Sequence, residues 1–554
     1  MPKLTIGIDF GTLSARAILA DRADGAVLAQ CEFAYPHAVM EQALPDGTRL
    51  PPGWALHHPQ DYLDALAYTV PRLLADSGAA PEDIIALGTD VTGSTVMTLR
   101  ADGMPLCLLP AYRSRPHAWS RLWKQQTAQA QADQITSLAL ERGEPWLKRY
   151  GGKVSATWML PKALETLMED PALYQAADLF AEASDWVVWT LTGQRSRNAC
   201  AAAYKALYSA QDGYPGEDFL KALHPGLKGF HAQKLAGRVL SPFESAGGLA
   251  EGIAEKLGLR AGIAVSAGML DAHVCAASAG LTRPGQMLSI LGTSGCHLLL
   301  GEEQVPVEGI CGAAPEGILP GYIGYEAGQV CFGDHLAWLT THLLPAEYKE
   351  EAARLGISAH ELLSRKAAVL RPGQSGLLAL DWWNGNRSML NDADLNGLLI
   401  GLTLHTKAEE IYRALLESLA FGARLITEGY RGQGLQVSSL RVTGGISRKN
   451  PLAMQIYADI LGLPVHVPAM QEGAAMGSAI LAAAAAGRDA GGHPDVYAAI
   501  KAMAPPAGQD YLPIPEHQAV YDRLFAQYRR LHDYFGRGEN DVMKLLNRIR
   551  LENS

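Results

Sequence analysis

The chain has 554 residues, 48% hydrophobic and 19% charged, enough apolar material for large cores, which excludes global disorder. With 47 Lys+Arg against 57 Asp+Glu the formal charge is −10, which argues against a general affinity for nucleic acid or an anionic membrane. No stretch reaches about 18 uninterrupted apolar residues, so no spanning helix is expected; the seven cysteines are scattered and form no CxxC pair, which fits reduced thiols in a cytoplasmic protein rather than a disulfide framework or a zinc site.

The opening MPKLTIGIDFGT has neither a long apolar segment nor a small-residue cleavage site, so no signal peptide is expected. Leu4, Ile6 and Ile8 alternate, Gly11-Thr12 follows, and Ala15 to Ala20 is apolar again; this predicts a β-hairpin. Helices are expected over residues 58–75 and 131–140. Ile84 to Gly88 reads as a strand leading into Asp90-Val91-Thr92-Gly93-Ser94, the kind of polar loop where α/β proteins place ligands.

A similar order returns in the second half. Ala264 to Gly268 predicts a strand, and Met269-Leu270-Asp271-Ala272-His273 opens a helix. Gln286 to Leu300 predicts strand, Gly-Thr-Ser turn and strand. Leu440 to Thr443 runs into Gly444-Gly445, with a helix from about Pro451 to Leu461. The most apolar stretch, 474–486, is Ala-rich and interrupted by Gly477 and Ser478. From Asp510 an amphipathic helix is expected, then a polar tail of ~20 residues that could stay disordered. Two hairpins with Gly-Thr-Ser tips suggest two α/β lobes that resemble each other, with a boundary near residue 260: lobe 1–260 and lobe 261–554.

Four constellations could carry chemistry. In Asp9-Phe10-Gly11-Thr12-Leu13-Ser14-Ala15-Arg16 a strand-end carboxylate precedes a glycine, hydroxyls and an arginine, donors suited to phosphate beside an acid suited to Mg²⁺. Gly292-Thr293-Ser294-Gly295 repeats the donor pattern. Asp271 stands at a strand-to-helix junction; by itself it fits an inert N-cap at least as well as a general base. Gly444-Gly445 at a strand end would admit a flat or anionic ligand. No G-x-x-x-x-G-K-[ST] is present and no G-x-G-x-x-G follows a strand, which disfavours a P-loop NTPase and a dinucleotide site. The His57-His58 pair lacks an H-E-x-x-H context and the 16 histidines are dispersed, so a histidine metal site is not expected.

Gly7-Ile8-Asp9-Phe10-Gly11-Thr12, GMLDAH around Asp271, Leu291-Gly292-Thr293-Ser294 and Thr443-Gly444-Gly445 together resemble, in order, the motifs of the FGGY carbohydrate kinases. The resemblance runs from about residue 4 to about 535. It narrows to the ribulose-phosphorylating branch on Asp90 to Thr95, Leu122-Trp123-Lys124, Tyr204 to Tyr208, Gly324 to Gln329, Phe332-Gly333-Asp334 and Leu380 to Gly385.

The resemblance implies a two-lobed actin-like fold of duplicated ribonuclease-H-like α/β domains, with a central cleft, sugar mostly on the first lobe and ATP with Mg²⁺ mostly on the second. It implies ATP-dependent phosphorylation of a ketopentose, L-ribulose to L-ribulose 5-phosphate in arabinose catabolism, by in-line transfer. Asp271 would be the catalytic base and Asp9 would organise Mg²⁺. Thr12, Ser14 and Arg16 would face the phosphoryl group. Gly292 and Thr293 would hold the nucleotide phosphates, Gly444 and Gly445 would make room for adenosine, and Lys449 would lie near the base. Gly93, Trp123, Lys205, Asp271 and Glu326 would contact the sugar. Relatives suggest a homodimer. Alternatives are another kinase of the family, such as one acting on xylulose, a non-catalytic sugar sensor, and an actin-like chaperone or filament, the last opposed by the segment holding Trp123 and Lys205.

Overall fold

Leu4–Phe10 and Ser14–Asp21 form the expected hairpin, Leu4 opposite Asp21 and Phe10 opposite Ala15. Ile84–Val91 lies parallel on the other side and is buried along its whole length, as is Leu4–Phe10. Unbroken burial marks strands covered on both faces. Val27–Ala34, at the sheet edge, instead alternates exposed and half-buried residues. The structure, a computed structural model, describes every residue except Met1, Gln471, Ala507 and Ser554.

The chain divides into two units. The first comprises Met1–Thr282, Ala314–Gly324 and Met470–Pro505; the second comprises Arg283–Ala313, Tyr325–Ala469 and Pro506–Ser554. The boundary expected near residue 260 therefore falls inside the first unit. Ala264–Ser266 and Met269–Leu270 both pair in parallel with Ile84–Val91, and this hydrogen bonding keeps them there.

In the first unit the central sheet runs, in spatial order, Ser245–Gly248, Ala264–Ser266, Ile84–Val91, Leu4–Phe10, Ser14–Asp21, Val27–Ala34. The Ala-rich stretch of the sequence is the helix Gly473–Ala486, which packs on this sheet. Its small residues are matched by Gly7 and Gly88, which face each other in register. A Cβ on Gly7 would strike the carbonyl oxygen of Ala475, and one on Gly88 that of Ser478. Close approach, rather than a special backbone angle, requires glycine at both positions. A second, four-stranded sheet joins Leu56–His57, Ser120–Arg121, Val96–Leu99 and Leu179–Glu182 over a separate core containing Trp54, Trp119, Trp146, Trp158 and Phe180. The helices Pro59–Ser77 and Gln129–Arg142 match the two expected early in the chain.

In the second unit Gln286–Leu291 and Gly295–Gly301 form the second hairpin, with Ser439–Thr443 parallel beside the first of them. This is the arrangement of the first unit repeated: hairpin, then a parallel strand against its first arm. The sheet order is Gly312–Pro315, Ile323–Gln329, Gly295–Gly301, Gln286–Leu291, Ser439–Thr443, Val465–Val467, Gln509–Tyr511. The 25-residue helix Ala408–Gly432 packs against Pro451–Leu461, which has the expected bounds, and against Pro515–Gly536. The polar tail is not disordered: Val542–Glu552 is helical, and Met543 is buried.

Candidate active site

Asp9 and Asp90 are register partners on parallel strands, and Met269, two residues before Asp271, pairs with Asp90. The sheet thus gathers Asp9, Asp90 and Asp271 at the carboxyl ends of its strands, where open α/β sheets place ligands. Asp90 is fully buried, and Asp9 nearly so. Burial first, then the charge of Asp271, raises the Asp9 carboxyl above the ordinary carboxylate range. Burial first, then Asp9, drives Asp90 well above the ordinary range too. A side-chain hydrogen bond between Asp9 and Asp90 lowers the former and raises the latter, so the pair binds a proton more readily than two separate carboxylates. Ser478 Oγ donates to Asp90 Oδ2 at 2.6 Å. Asp271 is the first residue of the helix Asp271–Ser278, and its Oδ1 accepts the N–H of Ala272 at 2.8 Å. Leu270 is the N-cap and Asp271 the first helical residue, whose Oδ1 serves a first-turn N–H.

Arg16, opposite Asp9 in the hairpin, is ringed by acids: its guanidinium lies 4.0 Å from Asp9, 3.3 Å from Glu32 and 3.8 Å from Glu472. Ser14 Oγ donates to Glu32 Oε1 at 2.7 Å, and that bond leads the causes holding Glu32 below its usual range. Thr12 sits at the hairpin tip. Its carbonyl is 2.8 Å from His57 Nε2, and its Oγ1 accepts the indole N–H of Trp123 at 3.1 Å. Trp123 is 38% exposed, so it is not a core aromatic.

Gly93 precedes Ser94, which takes φ 58. A Cβ on Gly93 would meet Lys205 Cε at 3.4 Å and Leu270 at 3.5 Å. Gly93, Lys205 and the start of the Asp271 helix are therefore neighbours. Lys205 is buried at the end of the helix Ala199–Lys205, whose start is capped by Asn198.

The second unit holds the other expected residues. The turn after Gln286–Leu291 is braced from behind: Phe332 N donates to Thr293 O at 2.7 Å and Gly333 N to Gly292 O at 3.0 Å. Gly444 takes φ 99, and a Cβ there would strike the Leu291 carbonyl, so only glycine fits where these two strands end side by side. Gly445 has open space around its Cα, and Lys449 is exposed at the end of the short helix Gly445–Lys449. Glu326 is buried and accepts a 2.8 Å charged hydrogen bond from Arg387 Nη2.

Sequence reading missed Asp90 as the partner of Asp9, although its strand-end position was visible. It also missed Glu32, Glu472 and Arg387, because nothing in sequence spacing pairs residues that only sheet register or a distant loop brings together. The histidines are also less dispersed than the sequence suggests. His37 Nδ1 lies 2.6 Å from Asp61 Oδ1, and His58 stacks on His37 with ring centroids 4.1 Å apart. His58 Nδ1 accepts the Gln60 N–H as an N-cap, so this group closes the start of the helix Pro59–Ser77.

Residues 4–278 match the N-terminal domain, and residues 287–486 the C-terminal domain, of the FGGY family of carbohydrate kinases. The chain belongs to this family, and it is an enzyme that phosphorylates a sugar with ATP. Among its relatives, the ribulokinase of Shouchella clausii is 48% identical over 551 residues, 99% of this chain and 98% of the relative. The ribulokinase of Mycolicibacterium smegmatis is 45% identical over 552 residues, 99% and 97% of the two chains. In fold, the chain matches the xylulose kinase of Rhodospirillum rubrum with TM-score 0.78 at 24% identity, over 96% of this chain and 98% of that one. The gluconate kinase of Lactobacillus acidophilus gives TM-score 0.80 at 18% identity, over 97% and 99%. Both confirm the two-domain α/β kinase fold.

Proposed function

We propose that this enzyme transfers the γ-phosphoryl group of ATP to L-ribulose, forming L-ribulose 5-phosphate and ADP, as a step of arabinose catabolism. The observation that carries this reading is whole-length identity of 45–48% to proteins named ribulokinase. The sugar O5 attacks the γ-phosphorus in line, its proton passes to the Asp271 carboxylate, and the bond to ADP breaks. Half-buried at the start of a helix, Asp271 meets the favourable end of the helix dipole.

Asp9 and its neighbours suit a Mg²⁺ ion. They are hard oxygen donors, and burial and their mutual repulsion raise Asp9 and Asp90, a strain that a bound cation would relieve. When bound, Mg²⁺ would neutralise phosphate charge. The residues of this chain do the rest. Thr12, Ser14 and Arg16 face the transferring group, although Ser14 is turned to Glu32 here. Gly292, Thr293, Gly444, Gly445 and Lys449 hold the nucleotide on the second unit. Gly93, Trp123 and Lys205 of the first unit, with Glu326, hold the sugar. Positioning of this kind can supply about 7–11 kcal/mol. A homodimer in the cytoplasm is part of the same reading; no disulfide joins any described cysteines.

The test is ADP release with Mg·ATP alone and with L-ribulose, D-ribulose, D-xylulose or glycerol. Strong stimulation by L-ribulose is expected. Preference for another sugar overturns the pocket assignment but keeps the kinase.

A further inference from the structure

Lys162 lies in the helix Met159–Glu169, fully buried, with no place in the chemistry above. An ammonium group has three N–H donors. Those of Lys162 go to the carbonyl oxygens of Ser94 at 2.8 Å, Leu122 at 2.9 Å and Arg121 at 3.0 Å. These three acceptors are not arbitrary. Ser94 follows Gly93, and Leu122 precedes Trp123. One buried amino group, its pKa held well below the usual lysine value by burial first and then by the Arg121 charge, thus ties together the two segments that carry the backbone and the ring assigned to the sugar. Among the described side chains, Ser94 is one of few non-glycine residues at positive φ, so its loop is held in a conformation that the chain does not take for nothing.

The surroundings follow the same plan. Glu182 pairs with Val96, just past the Gly93 loop, and Ala183 N donates to Thr95 O at 2.8 Å. Glu182 is buried, and burial raises its carboxyl to about 7 against the opposing charges of Lys162 and Lys205. A single acid therefore lies within electrostatic reach of both the lysine that braces the loop and the lysine assigned to the sugar. Arg121 is separately matched by Glu165 at 3.1 Å. A lysine needed only to fill space would be served as well by methionine, without the cost of burying an ion.

We propose that Lys162 is a positioning residue for sugar recognition: its three hydrogen bonds set the spacing between the Gly93 loop and the Trp123 segment without touching substrate. The proposal rests on the reading of Gly93 and Trp123 as sugar contacts. It predicts that loosening Lys162 weakens sugar binding more than ATP binding, because Gly292, Thr293, Gly444, Gly445 and Lys449, assigned to the nucleotide, lie in the other unit, and of the first-unit residues facing the phosphoryl group Thr12 is bonded to Trp123.

The experiment compares full-length wild type with Lys162→Met, Lys162→Gln and Trp123→Ala, each checked for native circular dichroism and a cooperative melt. KM is measured separately for L-ribulose and for Mg·ATP, and hydrogen exchange is followed in peptides covering residues 92–97 and 119–125. Lys162→Met is expected to raise KM for L-ribulose at least ~10-fold, the effect of about 1.4 kcal/mol, with KM for ATP changed less than ~2-fold. Both peptides should exchange faster together, and Lys162→Gln, which keeps two N–H donors, should recover part of the loss. An unchanged sugar KM in folded Lys162→Met, while Trp123→Ala raises it, overturns the proposal. So does equal loss for both substrates. If Trp123→Ala leaves the sugar KM unchanged, it is the site reading that fails. If Lys162→Met does not fold, Lys162→Gln carries the test. If neither folds, Lys162 is a purely structural lysine and the proposal is overturned.

Discussion

Ser478 and Asp90 stand 388 residues apart in the chain and 2.6 Å apart in the first unit, hydroxyl to buried carboxyl. The helix Gly473–Ala486 thereby supplies a donor to the acid hydrogen-bonded to Asp9. Ser478→Ala leaves that oxygen buried without this donor. A loss of about 1–3 kcal/mol of stability is expected. It should be read as a lower melting temperature of the first unit by calorimetry, with the second unit's transition unmoved.

Asp271→Asn removes the proton acceptor while keeping size and the Ala272 bond. The expected loss in kcat is about 10²–10⁴-fold, with sugar binding by titration calorimetry retained within a few-fold. Normal turnover by folded Asp271→Asn protein would remove the base assignment.

Gly7→Val and Gly88→Val place a side chain where backbone carbonyls of the overlying helix already lie. Overpacking typically costs about 1–3 kcal/mol and occasionally more, and here rigid backbone must move. Both variants should be poorly soluble or melt well below wild type, whereas Gly78→Ala, at an open position with left-handed φ, should cost only about 1 kcal/mol. Equal soluble yields of all three would contradict the packing described.

The buried histidines make the fold acid-sensitive. His297 accepts a hydrogen bond from Ser289 Oγ at 2.7 Å and donates from Nε2 to Gln329 Oε1 at 2.8 Å. Gln329 Nε2 in turn donates to Asp381, as does the Tyr528 hydroxyl, which holds the imidazole in one neutral tautomer. Burial pushes its pKa down to about 4. The unfolded chain binds that proton at about 6.5. A depressed folded value means that stability is full above pH 6.5 and is lost as pH falls toward 4. The full span is worth about 3 kcal/mol for this one side chain. His57 and His231, each pushed down to about 4 by burial, act in the same direction. His297→Gln should therefore show a smaller drop in melting temperature between pH 7 and pH 4.5 than wild type does.

Much of this molecule was legible in its sequence because local rules govern it. Apolar strand runs, alternating in Leu4, Ile6 and Ile8, and Gly/Thr/Ser tips specify both hairpins. A strand running into Gly444-Gly445 specifies the close approach to Leu291, since no side chain fits there. Asp271 was legible as a residue at a helix start, but its rank above an N-cap came from the resemblance and then from its place beside Asp9 and Asp90.

Other features belong to tertiary structure alone. The boundary near residue 260 misplaced two strands because their pairing partner, Ile84–Val91, lies far back in the chain. The Ala-rich helix of the second half joins the first unit because Gly7 and Gly88 leave room for it. Lys162 is an ordinary lysine in the sequence; only the fold turns it inward onto three carbonyls. Periodicity and turn chemistry act over a few residues, and so the sequence by itself determined most elements, the family and the candidate site residues. Register, close packing and buried hydrogen bonding act across hundreds of residues, and so the tertiary structure alone decided that Asp90 stands beside Asp9 and that Lys162 reaches the carbonyls of Ser94, Arg121 and Leu122.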